Sequence, residues 1–516
     1  MGDANSGGYF GPHLKFAGYD AVFFNGISPK PVYLLIDNGK AQIKDAGALW
    51  GKDNYETEDA LKAELGSETE VVSIGPSGER LSRMACIMNR RGCAAGRSGL
   101  GAIMGSKRLK AVAAIGNMKV PLADSAAAEA LRKDQIAESR TAVARGESWW
   151  EARHKYGTSA MTAASAHSGD SPIKNWGGVG IIDYPDVSAF DRDALVAKEI
   201  KKDSCWHCPV GCEGILGEGK GEYKYPAGSR RPEYETQAAF GGMCLVTDPE
   251  AINMANDICN RYGLDTISGG TAIAFAMECY ENGLITKEDT GGIELTWGNH
   301  RSMIAMTEMV AKREGFGDVL ADGVKIAAER IGKGAERFAV HVGGQELGMH
   351  DPRFFRPGAP ARPAAARYQM DATPGRHTAS FGPSAFLTAA VNAMGLCSMG
   401  NGALADPGKY MAGFMKSATG WDRSMPELLK CGERIVNMRH LFNLREGINE
   451  LQLKVHPRII GKPPATAGPL AGITADLEAQ VYWNLGALDW DPVTTKPSKK
   501  KLLELGLDDV AKELWP

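Results

Sequence analysis

The sequence predicts an α+β fold in which a β-rich N-terminal domain is followed by two mainly helical domains. Three observations carry this. Up to about residue 121, short apolar runs alternate with Gly- and Asn-containing turns. From about residue 122, apolar residues recur at the spacing of one helix face. The chain has 516 residues, enough for about three domains at roughly 100–200 residues each. The expected divisions are 1–121, 122–345 and 346–516.

The elements follow in order. The opening ANSGGYFG is a glycine loop with no strand before it, which suggests a start upstream or a fragment of a longer chain. AVFFNG, PVYLLID and AQIKDA read as strands, and the Asn38-Gly39 pair between the last two is a hairpin signal. VVSIG and KAVAAIG read as further strands on either side of the glycine-rich CAAGRSGLGAIMGSKRLK. ADSAAAEALRKDQIAESR is an amphipathic helix. TDPEAINMANDICNRYG is a helix begun by Thr247 or Asp248, with Pro249 in its first turn and Gly263 at its end. GGTAIAFAMECYENG, HRSMIAMTEMVAKREG and SMPELLKCGERIVNMRHLFNLREG are also helical. Residues 345–383 are rich in Pro, Gly and Ala, yet His350, Asp351, Arg353 and His377 mark them as an ordered active-site loop rather than a linker. KPSKKKLLELGLDD is expected as a solvated surface helix.

A formal net charge of −3 provides no electrostatic footprint for nucleic acid or an anionic membrane. No run approaches the roughly 20 apolar residues of a membrane span, and the first residues lack a signal peptide's basic start and apolar core. The expected location is the cytoplasm. There, ten cysteines are not expected to form disulfides, because that compartment keeps thiols reduced. Cys86, Cys93, Cys244, Cys259, Cys279 and Cys431 stand among apolar or small residues and are expected to pack in cores.

SCWHCPVGCEG is different. Cys205, Cys208 and Cys212, spaced Cys-x2-Cys-x3-Cys, place three thiolates on one short loop, enough for three corners of an iron–sulfur cubane with a fourth ligand elsewhere. Zinc competes, because three cysteines with a histidine, or four cysteines, also suit it and His207 is adjacent. Pro209 and Gly211 fit a tightly wrapped loop. The small residues of CAAGRSGLGAIMGSK permit close backbone approach to an anionic cofactor, or simply tight turn packing. PEYE places Glu233 and Glu235 on one side if extended, and a carboxylate entering an apolar site is suited to general-base work. One repeat also stands out. NRYGLDTIS (260–268) and NAMGLCSMG (392–400) share Asn-x-x-Gly-Leu, each after a helix, with Gly where a left-handed C-terminal residue is needed. They suggest two equivalent helix ends that grip the two halves of one ligand.

Taken together, these motifs resemble the tungstopterin aldehyde:ferredoxin oxidoreductases. The resemblance runs from ANSGGYFGPHLKFAGYD through GPSGERL, AAGRSGLGAIMGSKRLKA, CWHCPVGC, PEYE and YGLDTISGG to KREGFGDVLADG, HDPR, GLC and GERIVNMRHLFNLREG, nearly the whole chain in family order. It implies a tungsten or molybdenum atom held by two pterins on the β-rich domain, a 4Fe–4S cluster and a magnesium ion. Asn5 and Ala94 match carbonyl ligands of magnesium. Gly7, Ala94, Ala95, Gly96 and Arg97 match cofactor contacts. Asn260, Leu264 and Asp265 match one pterin loop, and Asn392, Leu396 and Cys397 match the other. Cys397 also matches the fourth cluster ligand. Glu235 and His377 match the acid–base and carbonyl-orienting residues.

The implied reaction is oxidation of a small aldehyde to its carboxylic acid, with electrons passing through the cluster to ferredoxin or a ferredoxin-like subunit. No nucleic acid or membrane is implied, and a homodimer is compatible with the resemblance. Two alternatives accompany it: a reduction of the same family, such as that of an aromatic ring, and a non-catalytic iron–sulfur electron-transfer subunit. The chain departs from the pattern at several points. It has Asn260 and Asn392 where the family has Asp, Cys93 in place of a basic residue, and Ala379 in place of Lys. The stretch between His377 and Cys397 is shorter, no Glu-x-x-His iron site appears around Met254, and the family's first strands precede ANSGG.

Overall fold

The computed structural model describes the chain except for residues 145–146, 355–363 and 402–403. The expected hairpin forms from β1 (Val32–Asp37) and β2 (Lys40–Asp45), antiparallel with Asp37 opposite Lys40. Asn38 and Gly39 both take positive φ, 42° and 86°, the turn geometry that matches the right-handed twist of paired strands. β3 (Glu70–Ser73), β4 (Ile87–Asn89), β5 (Cys93–Ala95) and β6 (Leu109–Ile115) complete a six-stranded sheet in the order β2-β1-β6-β3-β4-β5. β1 and β6 are parallel, and the other pairs are antiparallel.

Every residue of β6 but Ile115 is buried. Val112 joins Ile36, Ile74 and Leu109 in one core cluster, whereas Ala111 and Ala113 join Tyr33, Leu61 and Val71 in another. Successive side chains of a strand point to opposite faces, so a strand covered on both faces reads as a continuous apolar run. AVFFNG, by contrast, is not a strand, and Phe23 is 94% exposed. Apolar composition does not supply a hydrogen-bonding neighbour, and the edges of this sheet are β2 and β5.

The chain divides into two compact units. The larger comprises Gly2–Val120 and His154–Met349, and the smaller comprises Met1, Pro121–Arg153 and His350–Pro516. In the larger unit the helix Pro249–Tyr262 starts on the Asp248 side chain, which accepts the Glu250 N–H at 2.9 Å, and ends at Gly263 with φ 71°. Helices Thr266–Glu281 and His300–Lys312 follow as the periodicity requires.

In the smaller unit, Asp124 caps Ser125–Thr141 by accepting the Ala127 N–H at 2.9 Å. Helix Met425–Arg445 approaches helix Ser384–Ala393 at Gly432, where a Cβ would stand 1.9 Å from the Phe386 carbonyl oxygen. The C-terminal tail is not a solvated helix. It forms two short helices, Lys499–Glu504 and Asp508–Leu514, whose Leu502 and Ala511 pack with Leu441. Cys86, Cys93, Cys244, Cys259 and Cys279 are buried as expected, but Cys431 is exposed. It faces outward on a helix whose apolar face is occupied by other residues. No helix among the described residues is long and apolar enough to cross a membrane.

Candidate metal and cofactor site

The cysteine loop is closed by a hairpin in which Glu199–Asp203 pairs antiparallel with Glu213–Leu216. Inside it, the Cys208 N–H donates to the Cys205 carbonyl at 3.0 Å, and His207 and Gly211 take positive φ of 49° and 57°. These bends return the chain to Cys212. The loop is braced from outside by a contact of His154 Nδ1 with the Val210 carbonyl (2.7 Å) and by Arg231 Nη2 donating to the Cys212 carbonyl (2.8 Å).

The N-terminal glycines close on the same loop. The Gly8 N–H donates to Cys205 Sγ at 3.3 Å, and the Trp206 N–H donates to the Gly8 carbonyl at 3.1 Å. A Cβ on Gly7 would lie 2.8 Å from Cys205 Sγ, so only glycine fits there without displacing the sulfur. Cys205, Cys208 and Cys212 are all half-buried. Burial pushes the Cys205 thiol up to about 11 and raises that of Cys212, with nearby carboxylates acting in the same direction. Thiols in such surroundings ionise when a bound cation compensates the charge, which suits a metal-ligating loop. No group of three or more His, Cys, Asp or Glu that could hold one metal ion exists among the described residues. A cubane differs from a single ion in placing each thiolate on a separate iron.

The glycine-rich stretch divides into two functions. Gly99, Gly101 and Gly105 serve packing: a Cβ there would meet the carbonyl oxygens of Arg83, Cys86 and Gly78 at 2.4, 2.4 and 1.9 Å. Gly96 is different, because the nearest atom to its Cβ would be Ala94 Cβ at 3.6 Å. Ser6 Oγ donates to the Cys93 carbonyl and Ser98 Oγ to the Asp3 carbonyl, both at 3.1 Å. These bonds join the stretches that carry Asn5 and Ala94–Arg97. Arg97 itself is 8% exposed. Its Nη2 donates to the Glu346 carbonyl, and Nε lies 3.5 Å from Asp265 Oδ2, yet Nε and Nη1 have no hydrogen-bond partner among the described residues. Buried guanidinium donors without partners are costly. Beside a glycine whose Cβ position is uncrowded, they fit a phosphate-bearing or otherwise anionic cofactor.

Both Gly-Leu motifs end a helix as expected. Gly263 and Gly395 take φ of 71° and 68°. The Leu264 N–H donates to the Cys259 carbonyl (2.8 Å) and the Leu396 N–H to the Val391 carbonyl (3.1 Å), the same six-to-one closure in each case. In the larger unit Asn260, Leu264 and Asp265 are buried. Asp265 caps the next helix by accepting the Ile267 N–H at 3.0 Å and the Ser268 hydroxyl at 2.8 Å. The motif is also sewn to the N-terminal segment. The Cys86 N–H donates to the Gly263 carbonyl (2.8 Å), the Asp265 N–H to the Met84 carbonyl (2.9 Å), and Asn54 Nδ2 to the carbonyls of Asn260 and Arg261 (3.1 Å each). In the smaller unit Asn392 and Cys397 are exposed, and Leu396 is partly buried against Ala390, Met411 and Leu428.

Glu235 lies on helix Tyr234–Phe240, for which Glu233 is the N-cap position. The segment is therefore not extended, and the two carboxylates do not share a side. Residues two apart on a helix diverge: Thr158 Oγ1 donates to Glu233, and the Met349 N–H donates to Glu235 Oε2 at 2.8 Å. Tyr234 Oη donates to the Met349 carbonyl at 2.5 Å, so adjacent residues hold the Met349 backbone on both sides of its Cα. In the smaller unit the His377 ring lies 5.5 Å from that of His350, and Asp351 and Arg353 form a buried ion pair at 2.6 Å. Part of the expected active-site loop, 355–363, lies outside the described residues. The larger unit thus brings together the sequence-predicted Asn5, Gly7, Ala94, Ala95, Gly96, Arg97, Leu264, Asp265 and the three loop cysteines, and it also holds Asn260 and Glu235. His377, Asn392, Leu396 and Cys397 belong to the smaller unit. Sequence reasoning missed Glu346 as an Arg97 partner and Met349 as the Glu235 partner, and no local pattern signals either.

The model of the N-terminal domain of aldehyde ferredoxin oxidoreductase matches residues 1–116, and that of its domains 2 and 3 matches residues 135–507. The chain belongs to this family. The tungsten-containing aldehyde ferredoxin oxidoreductase of Pyrococcus furiosus is 35% identical over 541 residues, covering 98% of this chain and 84% of that protein. Its namesake from Thermococcus kodakarensis is 34% identical, with coverage of 98% and 84%. The WOR-like subunit of an aliphatic sulfonate oxidoreductase of P. furiosus is 34% identical over 66% of this chain and 56% of its own length. The same fold occurs in a chain of the active-site complex BamBC of benzoyl coenzyme A reductase with 1,5-dienoyl-CoA: TM-score 0.78, 23% identity, 99% of this chain and 84% of that one covered. Membership places the chain among oxidoreductases, with the expected α+β architecture.

Proposed function

We propose that the chain oxidises an aldehyde to its carboxylic acid at a tungsten bis-pterin centre and passes the electrons through a 4Fe–4S cluster to a ferredoxin or ferredoxin-like subunit in the cytoplasm. The observation that carries this reading is Arg97, a buried arginine with two donors unsatisfied, beside the Asp265 cap and the uncrowded Gly96. The tungsten-containing relatives at about one-third identity over nearly the whole chain support it. When bound, the metal and its pterins supply the two-electron chemistry and the cluster a one-electron relay.

The chain's own residues have these roles in the proposal. Arg97 neutralises cofactor anion charge, and the carbonyls of Asn5 and Ala94 hold magnesium. Asn260, Leu264, Asp265, Asn392 and Leu396 grip the two pterins, with the asparagines accepting through neutral amide oxygens. Cys205, Cys208, Cys212 and Cys397 hold the cluster. Glu235, oriented by the Met349 N–H on Oε2, receives a proton from attacking water or from the aldehyde hydrate. His377 donates to the carbonyl oxygen and polarises it. The divisions 1–121, 122–345 and 346–516 are proposed as the domains that share this work.

Glu235→Gln is expected to abolish aldehyde oxidation while tungsten and iron contents stay unchanged. Near-normal turnover would remove Glu235 from the mechanism. Iron without tungsten or molybdenum in anaerobically prepared protein would favour a non-catalytic electron-transfer subunit. Turnover of an activated aromatic thioester in place of aldehydes would favour a reductive member of the family.

A further inference from the structure

The strand that ends the cysteine loop carries a charged group to which the proposed function assigns no role. Glu213 follows Cys212 and opens the strand Glu213–Leu216. Its Oε1 lies 3.6 Å from Cys205 Sγ and 3.5 Å from Cys93 Sγ, and Oε2 lies 3.9 Å from Cys93 Sγ. Arg230 Nη1 pairs with Oε2. Arg230 is fixed in turn by Asp203 Oδ2 at 2.6 Å and by donating Nη2 to the Arg90 carbonyl at 3.2 Å, and Arg90 closes on Asp203 at 3.4 Å. Gly92 lets the Arg230 stem lie across the β4–β5 turn, because a Cβ there would be 2.2 Å from Arg230 Cγ. The carboxylate is thus held by its strand, by a guanidinium and by a buried thiol.

With every cysteine protonated, two thiols can donate to Glu213. As an iron ligand, Cys205 carries no proton, and that donor is gone. Cys93 and Arg230 are the partners that would then keep the carboxylate in place on the Cys205 side of the loop. We propose that Glu213 sets the reduction potential of the cluster held by Cys205, Cys208 and Cys212, with Cys93 and Arg230 positioning its carboxylate. This rests on the iron–sulfur reading above. A fixed negative charge beside a ligating sulfur opposes the arrival of an electron. Net charge and hydrogen bonds around the sulfurs are the levers by which a protein moves cluster potentials. Glu213 therefore holds the cluster low, which favours onward transfer to a low-potential carrier.

The test is an EPR-monitored redox titration of the full chain, prepared anaerobically, with iron and sulfide measured on each sample. Glu213→Gln keeps the size and loses the charge, and its midpoint is expected to shift positive at unchanged iron content. Glu213→Asp keeps the charge and is expected to restore a midpoint near that of the unaltered protein. Cys93→Ala loosens the carboxylate and is expected to shift the midpoint in the same direction by less, whereas Cys93→Ser retains a donor and is expected to shift it little. A fully loaded Glu213→Gln protein with an unmoved midpoint overturns the proposal. If Glu213→Gln fails to take up iron, Cys93→Ala decides: a positive shift supports the proposal, and an unmoved midpoint overturns it. An unaltered protein without iron and sulfide overturns the cluster reading itself, a result that elemental analysis separates from the other two.

Discussion

The two Gly-Leu motifs are alike in backbone and unlike in surroundings. Both end a helix with a left-handed glycine and the same six-to-one hydrogen bond. The first is buried and stitched to residues 84–86 and to Asn54, and its Asp265 pairs with Arg97. The second presents Asn392 and Cys397 to solvent. The comparison separates two things a motif can encode. The turn is written in the motif's own residues, whereas rigidity is supplied by neighbours far away in sequence.

The sharpest way to break this contrast is to remove the residue after the Gly-Leu pair. Asp265→Ala deletes a helix cap and leaves Arg97 buried without its counter-charge, with an expected loss of about 3–5 kcal/mol in denaturant unfolding. In the cluster-free chain Cys397→Ala removes an exposed side chain, and an effect within about 0.5 kcal/mol is expected. Comparable losses would show that the second motif is equally embedded.

The glycines give a smaller contrast. A Cβ on Gly263 would stand 3.0 Å from Asn54 Nδ2 and 3.1 Å from the Gly75 nitrogen, whereas one on Gly395 meets nothing within 4 Å. Both alanine variants strain a left-handed backbone, which costs roughly 1–2 kcal/mol. Only Gly263→Ala adds crowding, so about 2–4 kcal/mol is expected there. Thermal unfolding of the pair checks the ordering, and a larger loss for Gly395→Ala would reverse it.

The smallest effect concerns pH. Burial raises the Asp265 carboxyl above its ordinary value, with the Arg97 charge pulling the other way. The folded chain then binds that proton more tightly than the unfolded one, whose value is about 3.9. The resulting stability is fully present below the unfolded value and is lost as pH rises through the folded one. Asp265→Asn has no such proton. The stability of the unaltered protein relative to this variant should therefore increase as pH falls from 7 toward 4. A difference that stays constant across that range would sink the idea.

The same division governs what the sequence made legible. The Asn38-Gly39 hairpin, the Asp248 start and Gly263 end of one helix, and the cysteine loop all depend on residues within a few positions of one another. Their contacts do not. Gly8 and Cys205 are 197 residues apart, and Arg97 meets the Glu346 carbonyl 249 residues away. No periodicity announces such pairs. AVFFNG failed as a strand for the related reason that a strand needs a neighbour, which composition cannot specify. The tail failed in the opposite sense, because two short helices bury leucines that a charged sequence seemed to leave in water. At Glu233 and Glu235, an assumption of extended chain yielded to a helix one residue later.

One consequence concerns how the larger unit opens. Asp53 caps helix Asn54–Leu65 through the Glu56 N–H at 2.8 Å, and with its other oxygen it holds Arg261 at 2.8 Å, near the end of helix Pro249–Tyr262. Asn54, the next residue, covers the carbonyls of Asn260 and Arg261. The beginning of one helix and the end of another are thus tied in a single knot of side chains. Helix ends ordinarily fray independently, but these two cannot, since releasing either strands the partners of the other. Their amides should exchange with solvent as one cooperative unit, which ties the lifetime of the first Gly-Leu loop to that of the knot.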